Sequence, residues 1–241
     1  MKPVIGVTCF CRDTVYGNWH RNAAILPSAY ISMIEQAGGI PLIIPPAGDM
    51  TQILELIDGL VVSGGPDISP SAYGEEPGEM TIEFYPNQDK TEMELIGEAI
   101  ARDMPFLGVC RGMQMMSVMH GGRLYQHLDT TPRHEGHGGF DGVETRHGVS
   151  AAEGSLLASL MGTSIDANST HHQGVADAGE LTVTGVADHD GLIEAVERSD
   201  KRFCLGVQWH PERAGHELSL IHISEPTRLL SIAYCGVWLE K

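Results

Sequence analysis

Short apolar runs alternate along the first half of the chain with segments in which apolar residues recur every three or four positions. The runs are typical of buried strands, and the periodic segments are typical of helices. We expect strands at 4–8, 40–44, 59–62 and 105–109, and helices at 23–37, 51–57, 92–102 and 111–120. Strands that alternate with helices indicate a parallel sheet with helices on both faces.

The second half has a different rhythm. Apolar runs at 181–187, 192–197 and 203–209 are separated by short turns, Asp190-Gly191 and Ser199-Asp200, which is typical of hairpins rather than crossovers. The predicted fold class is therefore α/β and doubly wound, with a mostly parallel central sheet and antiparallel strands added in the C-terminal half. The loop 130–148, rich in Gly and His, is predicted to be the least structured stretch.

Residues 218–241 do not continue these patterns. Leu218 to Arg228 matches the translation of a transposase adapter used in sequencing libraries, and Pro226 would interrupt a helix there. We therefore expect a single domain over residues 1–217 and a non-native tail over 218–241. The alternative is a native terminal helix of unusual composition.

Composition and charge narrow the classes of partner. The 241 residues include 15 basic and 32 acidic ones, and the net charge of -17 disfavours nucleic acid and anionic membranes as partners. No secretory signal or membrane-spanning run is visible, so we expect a cytoplasmic protein. Five cysteines in a chain of this length predict free thiols rather than a disulfide framework.

Cys110 is the strongest candidate nucleophile. It follows an apolar strand, precedes a helix and lies between Gly108 and Gly112, which is the pattern of a nucleophile elbow. The helix N-terminus favours a thiolate, and its free N–H groups can stabilise an oxyanion. An isolated cysteine is more often structural, but this context favours catalysis.

A base for this nucleophile is found where the last predicted strand ends, at His210-Pro211-Glu212. Residues two apart in an extended segment point to the same side, so Glu212 can orient the His210 ring. The amides of Gly65 and Arg111 would form an oxyanion hole if strand 59–62 lies beside strand 105–109. The alternatives are a surface His and Glu pair and an ordinary glycine turn.

Five segments together resemble the class I glutamine amidotransferase superfamily, and within it the gamma-glutamyl-gamma-aminobutyrate hydrolases, peptidase family C26. They are VVSGGPDISPSAYGE, PFLGVCRGMQMMSVMHGGRLYQHL, NSTHHQ, DGLIEAVE and GVQWHPE, and the resemblance runs from Pro3 to Glu212. It implies a flavodoxin-like, free-standing hydrolase that cleaves a small gamma-glutamyl amide through a thioester on Cys110. It implies no cofactor and no metal, and a place in putrescine catabolism.

The resemblance also implies tentative substrate-binding residues, namely Gln114, His171, His172 and Gln173. For the two histidines a polar loop position is the alternative. The chain departs from the family in having Lys90-Thr91 where an Arg-Asp pair is frequent, and in lacking the helix expected after the last motif. Because of the first departure, the sequence does not show whether the local ion pair of the family forms here. Because of the second, it does not show how firmly His210 is held.

Other histidines and cysteines are weaker candidates. His134, Glu135, His137 and His147 lie close in sequence, but glycines surround them and we predict no metal site. Cys9 and Cys11 without further ligands are weak evidence for a metal. Two rival functions remain, a glutaminase subunit that delivers ammonia to a synthase partner and a silent module that binds gamma-glutamyl compounds. The sequence does not identify the amine that leaves, and it does not decide whether the protein forms a homodimer.

Overall fold

The computed structural model describes residues 2–131, 134–139 and 142–213, so the predicted non-native tail lies outside the described residues. The helices are α1 Ser28–Gln36, α2 Pro86–Ala101, α3 Arg111–Met119 and α4 Leu156–Met161. The strands are β1 Val4–Thr8, β2 Phe10–Tyr16, β3 Trp19–Ile25, β4 Ile40–Ile44, β5 Gly59–Val62, β6 Phe106–Val109, β7 Arg123–Tyr125, β8 Thr145–Ala151, β9 Ser164–Ser169, β10 Gly174–Asp177, β11 Thr182–Ala187, β12 Ile193–Glu197 and β13 Cys204–Val207.

One large mixed sheet organises these elements. Its strand order is β4-β1-β5-β6-β13-β12-β11-β8-β9, and β10 pairs with both β12 and β7. The first five strands of this order are parallel, whereas β13-β12, β12-β11, β11-β8 and β8-β9 pair antiparallel. The predicted doubly wound sheet with antiparallel strands added in the C-terminal half is confirmed.

Helices cover both faces of the sheet. Val61 of β5 packs in the same core as Tyr30, Met33 and Ile34 of α1. Its neighbours Leu60 and Val62 point the other way, into the core that contains the apolar side chains of α2 and α3. Burial on both faces explains why the parallel strands are continuous apolar runs rather than alternating ones.

The helix predicted at 23–37 is wrong at its start. Residues 10–25 form the β2–β3 hairpin, which turns at Gly17 with a positive φ of 57°, and α1 begins only after Pro27. The helix predicted at 92–102 begins earlier, at Pro86, where proline suits the first helical turn. The predicted loop 130–148 ends earlier than expected, because β8 begins at Thr145.

The longest of the described helices, α2, has 16 residues. Within the part of the chain that the structure describes, no helix is both long and apolar enough to cross a membrane.

Candidate active site

The candidate site lies at the carboxyl ends of β5, β6 and β13, which are neighbours in the sheet. The register pairs Val207 of β13 with Val109 of β6. The Cys110 amide then donates to the Val207 carbonyl at 2.8 Å. Because parallel strands end at one edge, this pairing brings two motifs from distant parts of the sequence together, where open α/β sheets bind ligands.

The Cys110 backbone is strained, with φ 49° and ψ -103°. The glycines on either side of this turn allow a close approach. A Cβ on Gly108 would lie 2.7 Å from the Gly112 carbonyl carbon, and a Cβ on Gly112 would lie 2.3 Å from the Val62 oxygen. A larger residue at Gly112 would push α3 away from β5, and one at Gly108 would push α3 away from β6. The turn thus holds Cys110 in a conformation that few non-glycine residues adopt.

His210 and Glu212 are both buried, and His210 Nδ1 lies 2.6 Å from Glu212 Oε1. Burial alone would lower the pKa of His210. The adjacent Cys110 and Glu212 outweigh burial and raise the pKa to about 10. The environment therefore favours an imidazolium between the sulfur and the carboxylate.

His210 is also held through its backbone. The side-chain amide of Asn168, at the end of β9, accepts from the His210 N–H and donates to the His210 carbonyl, both at 3.1 Å. The described chain thus fixes His210 from β9, independently of any element that follows residue 213.

Gln208 touches the sulfur and was not predicted from the sequence. Its Nε2 lies 3.4 Å from Cys110 Sγ, and its Oε1 accepts from Gln114 Nε2 at 3.2 Å. Gln114 was predicted to bind substrate, but its amide nitrogen donates to Gln208 and to the Gln173 carbonyl. Gln208 could have been found from sequence, because it is two residues before His210 in the run 203–209 that was predicted as a strand, where such residues point to the same side.

Tyr30 on α1 is a second residue that the sequence did not reveal. Its hydroxyl accepts from the Gly64 N–H at 2.8 Å. Burial, followed by the nearby Glu212 carboxylate, raises the pKa of Tyr30, so the hydroxyl keeps its proton beside that carboxylate. A Cβ on Gly64 would lie 2.8 Å from His210 Cε1, which shows how closely the glycine turn packs on the histidine ring.

Strand β5 does lie beside β6, as an oxyanion hole from Gly65 and Arg111 requires. A Cβ on Gly65 would be 3.4 Å from Arg111 Cδ. Neither backbone N–H of these two residues has a hydrogen-bond acceptor among the described residues. Both amides are therefore available to a substrate oxygen.

The Arg111 guanidinium is fully buried and pairs with Asp89 and Glu92 of α2. Asp89 also accepts from the Ser69 N–H at 3.0 Å, which ties the loop after β5 to the same ion pairs. These two carboxylates lie on either side of residues 90–91, the positions at which the sequence did not show whether an ion pair forms. Lys90 itself points to solvent, with a side chain that is 76% exposed.

A cleft of about 480 Å³ opens above the sulfur. Its lining includes most of the sequence-predicted site residues, namely Gly65, Cys110, Gln114, His171, His172 and Gln173. Asp67 and Glu83 add carboxylates to this lining, and Asp67 Oδ1 lies 2.8 Å from His172 Nε2. The arrangement can bind a small molecule and attack it with sulfur from the floor of the cleft.

The peptidase C26 family model matches residues 3–212. A Mycobacterium tuberculosis protein with a provisional glutamine amidotransferase name is 40% identical over 223 residues, which cover 91% of this chain and 72% of that protein. A gamma-glutamyl-gamma-aminobutyrate hydrolase of Escherichia coli strain K12 is 32% identical over 235 residues, which cover 92% of this chain and 90% of that protein.

Solved structures agree on the fold. A glutamine amidotransferase from Thermotoga maritima superposes with a TM-score of 0.59 at 17% identity, over 88% of this chain and 77% of its own. A glutamine amidotransferase from Methylobacillus flagellatus gives a TM-score of 0.57 at 16% identity, over 88% and 71%. At such identities the likeness shows a class I glutamine amidotransferase-like fold.

Proposed function

Because this chain belongs to the peptidase C26 family and is a glutamine amidotransferase-like hydrolase, we propose that it cleaves the gamma-glutamyl amide bond of a small gamma-glutamyl compound. Gamma-glutamyl-gamma-aminobutyrate is the first candidate substrate, since a relative carries that name. The observation that carries the proposal is the buried contact of His210 with both Glu212 and Cys110, at a strained elbow that opens into the cleft.

In the first half of the reaction, the Cys110 thiolate attacks the gamma-carbonyl carbon. The Gly65 and Arg111 N–H groups donate to the oxyanion that forms. The imidazolium of His210 then gives its proton to the amine nitrogen as the carbon–nitrogen bond breaks. The amine leaves, and the glutamyl group remains on sulfur as a thioester.

In the second half, neutral His210 takes a proton from water while the water oxygen attacks the thioester carbonyl. The same two amides stabilise the second oxyanion. The carbon–sulfur bond breaks, and the thiolate returns beside the imidazolium as glutamate leaves. Glu212 keeps His210 in the orientation that both proton transfers need.

The carboxylates of the cleft match one charged group of such a substrate, its alpha-ammonium. Asp67 and Glu83 provide carboxylates, and no Lys or Arg is among the described residues that line the cleft. Carboxylates in the cleft favour the alpha-ammonium group of a gamma-glutamyl compound.

The test is amine or ammonia release from gamma-glutamyl-gamma-aminobutyrate and from glutamine, measured side by side with the full chain. Cys110→Ala should abolish release, whereas Cys204→Ala, at a buried cysteine of β13 outside the site, should retain it. A thioester mass on Cys110 supports the mechanism. Substantial release by Cys110→Ala would overturn the proposal, and turnover of glutamine alone would favour the ammonia-delivering glutaminase.

A further inference from the structure

Three histidines and a glutamate form a second buried group next to the cleft, which we call the histidine cluster: His137, His147, His171 and Glu194. They come from the loop before β8, from β8, from the turn after β9 and from β12. All four side chains are at most 7% exposed. Only His171 also lines the cleft, and the proposed reaction does not use the other three.

Three ring nitrogens of the cluster face the Glu194 carboxylate without making a hydrogen bond to it. Glu194 Oε1 lies 3.3 Å from His137 Nδ1, 3.3 Å from His147 Nε2 and 3.6 Å from His171 Nε2. Both Glu194 oxygens and these three nitrogens are buried and lack a hydrogen-bond partner among the described residues. Buried polar atoms in folded proteins nearly always have a hydrogen-bond partner, so five unpaired atoms at one point need an explanation.

The outer partners of two rings decide which nitrogen carries the proton. His137 Nε2 lies 2.9 Å from Asp190 Oδ2, and His171 Nδ1 lies 2.9 Å from the Gln173 carbonyl. A backbone carbonyl oxygen can only accept a hydrogen bond, and so can an ionised Asp190 carboxylate. His171 Nδ1 and His137 Nε2 are therefore the nitrogens that carry the protons and donate. In neutral rings, the opposite nitrogens then point lone pairs at the Glu194 carboxylate. Lone pairs that face a carboxylate require a cation between them.

The geometry points to a metal, and we propose that His137, His147, His171 and Glu194 bind one divalent transition-metal ion of the zinc type. Zinc bonds to imidazole and carboxylate are about 2.0–2.1 Å long, so the donors of a tetrahedral site stand about 3.3 Å apart. Glu194 Oε1 lies 3.3 Å from both His137 and His147, and the donor atoms of His137, His171 and Glu194 lie within 4.8 Å of one another, so the rings would close in on the ion as it binds. Three imidazoles and one carboxylate suit zinc rather than calcium or magnesium, which prefer oxygen ligands. Together with Asp190, the carboxylate of Glu194 balances the charge of the ion.

The bonds from His137 to Asp190 and from His171 to Gln173 are the outer contacts that ligating histidines need for their orientation. Four protein ligands close the coordination sphere, which is typical of structural metal sites rather than catalytic ones. The metal would fix the turn after β9, where His172 and Gln173 line the cleft. It therefore acts as a positioning element for one wall of the substrate site.

A proton is the competing occupant. Burial would lower the pKa of His137, but Glu194 and Asp190 outweigh burial and raise it. A protonated His137 between two carboxylates would satisfy part of the cluster. That arrangement leaves His147 with both ring nitrogens unpartnered among the described residues and His171 Nε2 aimed at Glu194, whereas a metal ion engages all three rings.

The experiment measures zinc bound to the full chain carrying Cys110→Ala, which removes the thiolate as a rival ligand. After removal of metal with a chelator and of any affinity tag, zinc chloride is titrated by calorimetry. Cobalt(II) is titrated separately, and its visible absorption reports tetrahedral coordination. We expect one ion per chain, a melting temperature that falls on chelation and recovers with zinc, and affinity at least about 100-fold weaker in Glu194→Gln and in His147→Ala.

His189→Ala is the matched control, because His189 lies 3.8 Å from Asp190 and belongs to an alternative trio with His137. Zinc affinity should stay unchanged in this variant. Absence of stoichiometric binding in a folded chain, equal affinity in Glu194→Gln, or loss in His189→Ala with retention in His147→Ala would each overturn the proposal. Because binding is measured without a reaction, its failure is distinguishable from failure of the proposed hydrolase.

Discussion

Replacing Glu212 with glutamine keeps the shape of the side chain and removes its charge. The substitution takes the charge out of the 2.6 Å bond between Glu212 Oε1 and His210 Nδ1, whose two partners are both buried. A hydrogen bond to a charged group contributes about 1.5–3 kcal/mol. Each 1.36 kcal/mol corresponds to a factor of ten in rate, so we expect kcat/KM to fall roughly 10- to 150-fold.

The pH dependence gives a sharper readout than the rate alone. The pKa of His210 is raised to about 10, so the imidazolium that protonates the leaving amine persists into alkaline solution. Activity should therefore fall on the alkaline side only near that value. Two neighbours, Cys110 and Glu212, raise the pKa of His210, and Glu212→Gln removes the charge of one of them while the burial stays the same. The alkaline loss of activity should therefore move to lower pH, by about one to two pH units.

The assay is kcat/KM against pH for amine release, with Glu144→Gln as the matched variant. Glu144 contacts Arg213 from an exposed position, 3.6 Å away, and its replacement should leave the profile unchanged. A Glu212→Gln profile that superposes on that of the parent, in rate and in alkaline limb, would refute the role assigned to Glu212.

Three further changes test the surroundings of the site. Gly64→Ala should lower kcat about 100-fold in the release assay with little loss of stability, because its Cβ would press on the His210 ring at 2.8 Å. Glu92→Gln should lower the free energy of unfolding in urea by about 3–5 kcal/mol, because it removes one partner of the buried Arg111. Tyr30→Phe should cost about 1–3 kcal/mol in the same measurement, because it leaves the Gly64 N–H without its acceptor.

Each of these three variants has a matched control variant, which should leave kcat and the free energy of unfolding nearly unchanged. Gly97→Ala places a Cβ at an ordinary 3.5 Å from Met119 on a helix. Lys90→Ala removes a side chain that is 76% exposed, next to the buried pair. Tyr85→Phe removes an exposed hydroxyl that bonds Glu83. Equal effects in a variant and its counterpart would contradict the explanation given for that variant.

The parallel core of the fold was predictable because strands buried on both faces leave long apolar runs in the sequence. The β2–β3 hairpin was not predicted, since its exposed side chains carry no apolar alternation, and the predicted helix 23–37 was extended backwards into the end of β3. The turn at Gly17 between two polar-rich runs was the available signal. Strands β8 and β9 were also not predicted; β8 begins inside the Gly- and His-rich stretch 130–148, and β9 is a short run in which polar residues interrupt the apolar ones.

In the candidate site too, some residues could be predicted from the sequence and others could not. The sequence predicted Cys110, His210 and Glu212 from local motifs that follow strands, and the structure brings the three side chains together. Tyr30 left no signal, because its contact with Gly64 joins residues 34 positions apart. The histidine cluster was weighed only among neighbours in sequence, whereas His171 and Glu194 reach His137 through the pairing of distant strands.

The place of β13 in the sheet has a consequence for how the protein is synthesised. It is the last strand in the described chain, yet it lies in the middle of the sheet, between β6 and β12. Gln208 and Cys110 are 98 positions apart, so a long loop must close before the sulfur meets its partners. During synthesis, a ribosome-bound chain that has not yet released residue 210 therefore cannot assemble the proposed active site, because β13 has not yet paired with β6.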